Sequence, residues 1–303
     1  VKVPWDFAAR EKLEVDLTVL RNYIVVAREQ NITRASKLIH ITQPALSRQL
    51  FQLEEALGTK LFERSKYCIK LTEQGTFFYH RAEEILELYE KTKRDISFKE
   101  EEIAGELTIG AGEFRSVEPL SKIISEFQAL YPKVCVHMRT GFTPDILEQL
   151  GNGLLDFGLI FNRPHDDRYA SMSLGVKEEW GALVPKKSPI AEKKTLFPAD
   201  LAEEPLLISG NLEHLVNLKE WFGPLGKCLN VKSTYNLLNN AAFLVANGVG
   251  IALCIRLNCS YRGLTFIPFT PPLHSETRLI WRNDPMQTPA KKAFITLLEK
   301  LQK

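Results

Sequence analysis

Residues 31–58 constrain the fold more than any other part of the sequence, because they contain the start and stop signals of two short helices joined by a tight turn. Thr33 is predicted to cap the first helix and Thr42 the second. Pro44 falls in the first turn of the second helix, where its missing N–H costs little. Gly58 supplies the C-terminal stop. Two short helices held at a fixed angle can place one helix in the DNA major groove.

The second helix has one apolar and one polar side. Leucines at 46, 50, 53 and 57 form a narrow stripe, and Arg48 on the opposite side is predicted to read a base or clamp a phosphate. The bare motif fits an ordinary amphipathic hairpin with a solvated polar face equally well. The DNA-contacting residues expected from this motif and the segment after it are Thr33, Arg34, Thr42, Gln43, Pro44, Ser47, Arg48, Gln52, Arg64 and Lys66.

The segment that follows, residues 59–75, alternates apolar and basic residues and predicts a two-stranded wing that reaches toward a phosphate backbone. Between residues 16 and 72 there are nine Lys or Arg against five Asp or Glu, a net charge of +4, whereas the whole chain carries only +2. The basic excess therefore lies where DNA binding would need it.

These segments together resemble the winged-helix signature of LysR-type transcriptional regulators. The resemblance extends from residue 16 to about residue 301 and leaves the first 15 residues outside it. That leader has no apolar core run, so we expect a mobile arm or an upstream extension rather than a secretory signal. The matching segments are Asp16-Leu17 to Ala27, Thr33-Arg34-Ala35, Ile41 to Gln49, Leu53-Glu54, Leu57-Gly58, Leu61 to Arg64 and Leu71 to Gly75.

Residues 74–104 are predicted to form a linker helix that pairs two copies of the chain. From residue 74 to 102 there is no proline and a single glycine, and apolar positions recur at spacings of four and three. A single amphipathic helix packed on its own domain is the alternative. The resemblance implies a homodimer or homotetramer. The expected seam is Phe78, Ala82, Ile85, Tyr89, Thr92 and Ile96.

From residue 105 the pattern changes to alternating strands and helices, which predicts an α/β fold. By resemblance this part forms two lobes like those of periplasmic solute-binding proteins. The fold class is thus α/β overall, with an N-terminal winged helix-turn-helix, a long linker helix and a two-lobed effector-binding domain. The expected boundaries are 1–15 for the leader, 16–73 for the DNA-binding domain, 74–104 for the linker and 105–303 for the effector-binding domain, with lobe I at 105–165 and 266–303 and lobe II at 166–265.

A small-molecule effector is expected between the lobes, where strand ends and helix N-termini converge. Free N–H groups after the strand at 107–109 would suit an anion, although Glu113 and Arg115 replace the small residues often found there and favour a narrower, self-paired or zwitterion-selective pocket. Taken alone, Thr143 and Asn240 are each better explained as helix caps than as ligand contacts, so the hypothesis concerns the whole set. The expected effector contacts are Gly112, Glu113, Ser116, Thr143, Ser209 and Asn240.

Other function classes find little support in the sequence. No P-loop, nucleophile elbow or metal-ligand spacing is present, so we expect no enzyme activity, no metal and no cofactor. A redox-sensing regulator remains an alternative through the cysteines at 68, 135, 228, 254 and 259, as does an α/β solute-binding protein or enzyme with a non-DNA-binding hairpin. No apolar run reaches the length of a membrane helix. We expect a cytoplasmic protein whose partners are promoter DNA, an anionic or zwitterionic effector and RNA polymerase.

Overall fold

The computed structural model describes residues 15–64, 69–97, 103–162, 166–210, 218–227, 229–284 and 287–301. The chain divides into two compact units, Val1–Ile96 and Ser97–Lys303. Residues 1–14 of the expected leader, the expected DNA contact Lys66, and Cys68 and Cys228 lie outside the described residues. Among the described residues, no helix combines the length and the apolar character that crossing a bilayer requires.

The first unit is a helical domain with a two-stranded antiparallel wing. Thr42 caps the second of the two predicted helices, as expected, since its side chain accepts a hydrogen bond from the Ala45 N–H. The prediction that Thr33 caps the preceding helix is wrong. Asn31 caps it through the Arg34 N–H, and Thr33 lies within the first turn. The elements are α1 Leu17–Glu29, α2 Ile32–Leu38, α3 Gln43–Leu57, β1 Phe62–Arg64, β2 Ile69–Leu71 and α4 Glu73–Ser97.

The core of the first unit joins α1, α3 and the start of α4. Leu46, Leu50 and Leu53 of the predicted apolar stripe are buried there, while Leu57 is 41% exposed. The Tyr23 hydroxyl donates to the Gly75 carbonyl at 2.7 Å, which ties α1 to the start of α4. A Cβ atom at Gly75 would lie 2.0 Å from the Leu61 carbonyl oxygen, so only glycine lets α4 approach the wing this closely.

The second unit contains a nine-stranded sheet in the order β4-β3-β5-β11-β6-β9-β7-β8, with β10 added to β6. The α/β alternation predicted from the sequence is confirmed. Short 3-10 helices lie at Pro189–Glu192 and Gly223–Lys227. The main elements are β3 Gly105–Ala111, α5 Val117–Leu130, β4 Val134–Thr140, α6 Thr143–Gly151, β5 Phe157–Phe161, β6 Tyr169–Pro185, α7 Pro198–Leu201, β7 Leu206–Ser209, β8 Val231–Tyr235, α8 Leu238–Ala246, β9 Ile251–Ile255, β10 Leu264–Pro268, β11 His274–Arg282 and α9 Pro289–Leu301.

Strand β6 runs through both lobes of this unit. Its first part, up to Glu179, pairs with β11, and from Trp180 onward it pairs with β9. The predicted lobe boundaries at 166 and 266 are therefore wrong. Residues 169–179 pair within lobe I, and 266–268 pair with β6 within lobe II. The crossing could not be located from the sequence because a continuous strand contains no turn signal at the point where its partners change.

Each lobe has its own hydrophobic core. In lobe I, α5 and α9 pack on the sheet through Phe127, Phe157 and Phe294, whose rings meet edge to face. Lobe II has two apolar clusters. Ala182 and Val184 of β6 belong to one of them, and Leu183, which lies between them in the strand, belongs to the other. Alternate residues of a strand point to opposite faces, so β6 is covered on both sides in lobe II.

Candidate DNA-binding surface and ligand cavity

The exposed side of α3 carries the residues predicted to contact DNA. Arg48 is exposed and forms no ion pair within the described part of the chain. Near the helix start, the Gln43 amide donates to the Ser47 hydroxyl at 2.9 Å, which orders two of the predicted contacts along one side of α3. Thr42 and Pro44 are also exposed, and Gln52 is partly exposed. This surface can offer hydrogen bonds to base edges and phosphates.

Arg34 is held at the edge of the same unit. Its guanidinium donates to the Glu29 carbonyl at 2.7 Å and pairs with the Glu29 carboxylate. The pairing leaves the Arg34 side chain 64% exposed, so it can still reach a phosphate. Thr33 beside it is exposed. The side chain of Arg64, like all of Lys66, lies outside what the structure describes.

Glu54 fixes the wing to the end of α3 and was missed as a positioning residue. Its buried carboxylate accepts hydrogen bonds from the N–H groups of Leu61 and Phe62, at 2.9 and 3.1 Å, and from Lys60 Nζ at 2.9 Å. Burial opposes ionisation of Glu54, but these hydrogen bonds outweigh it and lower its pKa. A Glu within an amphipathic helix gives no sequence signal of this kind, because its partners lie beyond the helix.

The predicted dimerisation seam on α4 divides into a buried and an exposed part. Ala82 is fully buried in the core of its own unit, and Phe78 packs edge-on against Tyr23 with ring centroids 5.1 Å apart. Ala82 is therefore not available to a partner, and the prediction for it is wrong. Phe78 is only partly buried, and its place in the seam stays a prediction. The heptad pattern showed an apolar stripe but not that its first turns close the winged-helix core.

The remaining seam residues form an exposed stripe. Ile85 is 47% exposed and Ile96 is 78% exposed. Between them lie Tyr89 and Thr92, also exposed, and Leu88, which the prediction did not include. The spacings of three and four place these side chains on one face of the helix. An exposed apolar face of this kind is what a second copy of the helix would cover.

A cavity of about 290 Å³ lies between the lobes of the second unit. Its polar walls come from strand ends: Gly112 follows β3, Thr140 ends β4, Ser209 ends β7, and Tyr235 ends β8. The strands pair in parallel within each lobe, so their carboxyl ends converge on one edge. The cavity is lined by Gly112, Glu113, Phe114, Thr140, Gly141, Phe142, Thr143, Asp145, Ile146, Trp180, Ser209, Tyr235, Asn236, Leu237, Leu238, Cys254, Ile255 and Leu257.

Glu113 spans this cavity. Its Oε2 accepts a hydrogen bond of 2.6 Å from the Leu238 N–H, the first helical N–H of α8. Glu113 follows β3 in lobe I and α8 belongs to lobe II, so the bond joins the lobes. The carboxylate lies at the N-terminus of α8, whose partial positive charge would otherwise attract an anionic ligand.

The N-terminus of α5 is also occupied by a carboxylate of the protein. Glu178 is fully buried, and its oxygens accept from the N–H groups of Arg115 and Ser116, at 3.2 and 3.0 Å. The Ser116 hydroxyl donates to Glu178 at 2.5 Å and also contacts the Thr277 hydroxyl. The expected anion site is therefore filled by Glu178. Ser116 is buried away from the cavity, and its predicted effector contact is wrong.

Four of the six predicted effector contacts line the cavity: Gly112, Glu113, Thr143 and Ser209. Asn240 does not. It lies exposed on α8, and Asn236, one turn earlier, lines the cavity instead. The predicted cap at Thr143 is also wrong, since Phe142 holds the cap position of α6 without a side-chain bond. Tyr235 and Asn236 could have been found by the strand-end rule, whereas Trp180 carries no such signal.

The described cysteines differ in exposure. Cys254 is buried, and burial raises the pKa of its thiol well above the usual range, which disfavours the reactive thiolate. Cys135 and Cys259 are exposed. Within the described ranges, no group of three or more metal-ligating side chains is close enough to hold an ion.

Comparisons with known proteins agree with this arrangement. Residues 17–76 match the bacterial regulatory helix-turn-helix protein, lysR family, and residues 100–302 match the LysR substrate binding domain. The HTH-type transcriptional regulator CysL of Bacillus subtilis is 26% identical over 93% of this chain and 96% of its own length. The Hca operon transcriptional activator HcaR of Escherichia coli is 28% identical over 94% and 97%.

Solved structures show the same fold. Full-length CbnR, crystallised in complex with its target DNA, is 20% identical and aligns with a TM-score of 0.71, covering 94% of this chain and 99% of that one. A second structure of CbnR, described as a LysR family transcriptional regulator, is 19% identical and aligns with a TM-score of 0.75, covering 95% of this chain and 100% of that one. At 19–20% identity, the similarity to these two structures shows a shared fold and nothing more.

Proposed function

Because this chain belongs to the LysR family of DNA-binding transcriptional regulators and carries an effector-binding domain, we propose that the exposed side of α3 reads promoter DNA and that a small molecule in the cavity controls this binding. The observation that carries the DNA assignment is Arg48. It is exposed on the polar side of α3 and forms no ion pair within the described ranges. An arginine so placed can bind guanine through two hydrogen bonds.

The other members of the DNA surface have supporting roles in this proposal. Thr33, Arg34, Thr42, Gln43 and Ser47 position the unit on the phosphates near the start of α3, and Pro44 and Gln52 border Arg48. Arg64 and Lys66 supply wing charges that bind DNA of any sequence.

The ligand control follows from population shift. A molecule that binds the cavity more tightly in one arrangement of the lobes favours that arrangement, and so alters how the paired winged-helix units meet DNA. Support comes from Trp180, which lines the cavity, lies on β6 where that strand changes lobes, and donates to Ser275 of β11 at 2.8 Å. A ligand contacting Trp180 would act on both strands. Gly112, Glu113, Thr143, Ser209 and Asn236 are the proposed polar contacts.

We further propose that the exposed stripe of α4 pairs two copies of the chain, so that two α3 helices face two half-sites. Assembly as dimers of dimers, contact with RNA polymerase and a cytoplasmic location belong to the same proposal, as the family resemblance implies. No bond is made or broken in this mechanism, because the ligand acts only by binding.

The test of the DNA assignment is a mobility-shift titration of the full chain on a site selected from random DNA. Arg48→Ala is expected to weaken binding to that site by about 1–3 kcal/mol and to change unrelated DNA far less. Lys93→Ala, which removes an exposed charge from α4, is the matched control. Equal affinity of the Arg48 variant and the parent for the selected site would refute the assignment.

A further inference from the structure

The charged side chains that line the cavity between the lobes are acidic. Among the described residues that line it, Glu113 and Asp145 are acidic, and there is no lysine, arginine or histidine. An anion brought into this cavity would therefore meet two carboxylates and no neutralising side chain. A buried charge is stable only when it is paired or hydrogen-bonded, so the lining disfavours an anionic ligand.

The helix N-termini nearby do not compensate for this deficit. The N-terminus of α8 already binds the Glu113 carboxylate, and that of α5 binds Glu178. The N-terminus of α6 has no side-chain cap, but Pro144 has no N–H to offer and Asp145 places a negative charge in the first turn. Two of these three helix N-termini therefore already bind a carboxylate of the protein, and the third has a negative charge in its first turn.

The same lining suits a cation. Glu113 uses Oε2 for the bond to Leu238, and its Oε1 has no hydrogen bond among the described residues. A carboxylate can accept several hydrogen bonds, so an ammonium could bind Glu113 without breaking the bond between the lobes. Phe114, Phe142 and Trp180 line the same space, and aromatic rings attract cations.

We propose that the ligand of this cavity is a small amine with an apolar body, and that Glu113 is the carboxylate that binds its ammonium group. The inference rests on the proposed function, because it assigns a ligand class to the cavity named there. The apolar side chains of Ile146, Leu237 and Ile255 would enclose the body. A volume of about 290 Å³ is at the lower end for ligand pockets and limits the body to a small one.

The test is calorimetric titration of the full chain with matched amines, alcohols and carboxylates. Each set shares one hydrocarbon body: benzyl, phenethyl, cyclohexylmethyl or isoamyl. We expect the amine of at least one set to bind more tightly than both its alcohol and its carboxylate. Glu113→Gln keeps an acceptor for the Leu238 N–H but removes the charge, and it is expected to weaken that amine about ten- to hundredfold and the alcohol little.

Glu192→Gln is the matched control, since it makes the same change at an exposed position outside the cavity lining. The proposal is overturned if carboxylates bind more tightly than amines, if Glu113→Gln leaves amine binding unchanged, or if no amine in the four sets binds. A separate mobility-shift measurement with the bound amine distinguishes this from the proposed function. An amine that binds through Glu113 without altering the DNA complex would contradict ligand control and leave the ligand class supported.

Discussion

The carboxylate of Glu178 caps α5 through Ser116, accepting from its N–H at 3.0 Å and from its hydroxyl at 2.5 Å. Glu178 lies on β6 one residue before Glu179, the last position that pairs with lobe I strand β11. The helix that packs on the lobe I sheet is thereby bonded to the strand that continues into lobe II. We infer that Glu178 is a positioning residue at the point where β6 passes from lobe I to lobe II.

Glu178→Ala is expected to destabilise the second unit. The change leaves the N–H groups of Arg115 and Ser116 buried without their acceptor, and the cost is about 3 kcal/mol. Glu179→Ala is the control on the same strand, because Glu179 pairs with Arg256 at 2.6 Å near the surface and should cost under about 1 kcal/mol. Urea denaturation of the full chain, followed by circular dichroism, checks both. Similar losses for the two variants would contradict the role given to Glu178.

The wing should loosen at acid pH because of Glu54. Hydrogen bonds from Lys60, Leu61 and Phe62 hold its folded-state pKa below the ordinary 4.5, so its contribution to stability is present above that value. The contribution is lost as pH falls through the folded-state pKa. Protection of the Leu61 and Phe62 amides from hydrogen exchange, after correction for intrinsic exchange rates, should therefore decline below about pH 4.5.

Glu54→Gln is expected to weaken that protection at neutral pH and to remove its decline in acid. Glu55→Gln, on the exposed side of the same helix, serves as the control and should behave like the parent chain. Protection in the Glu54 variant that still falls with pH as in the parent would show that another group is responsible.

The exposed stripe of α4 should control oligomer formation. Ile96→Asp places a charge on a side chain that is 78% exposed, so the isolated unit should still fold, whereas a helix pair could not bury the carboxylate. Analytical ultracentrifugation is expected to show a lower-order species than the parent at the same concentration. Leu38→Asp, at an exposed leucine on α2, should leave the oligomer unchanged. An unaltered mass for the Ile96 variant would exclude this face as the interface.

Features that depend on neighbouring residues could be predicted from the sequence, whereas those that join distant parts of the chain could not. Thr42, Pro44 and Gly58 were identified from the sequence because caps and stops depend on neighbours within a few residues. The bonds of Glu178 to Ser116 and of Glu113 to Leu238 join residues 62 and 125 positions apart, and no local pattern specifies them. The sequence predicted that the helix N-termini attract anions. It did not show that the protein's own carboxylates, Glu178 and Glu113, bind at two of them.

Lys66 is expected to contribute charge without sequence preference. Lys66→Ala should weaken binding to selected and unrelated DNA alike, and should reduce the slope of log affinity against log salt by about one. Fluorescence anisotropy at several salt concentrations measures both quantities. Loss of discrimination between the two DNAs with an unchanged slope would assign Lys66 to base reading instead.

The most direct test of the whole account is a footprint of the full chain on its selected DNA, with and without a saturating cavity ligand. Calorimetry under the same buffer conditions establishes that the ligand is bound, and Glu113→Gln provides the chain that binds it poorly. We expect the ligand to change the extent of the footprint or the affinity of the parent chain and to leave the variant unaffected. An unchanged footprint and affinity with the cavity occupied would contradict ligand control of DNA binding.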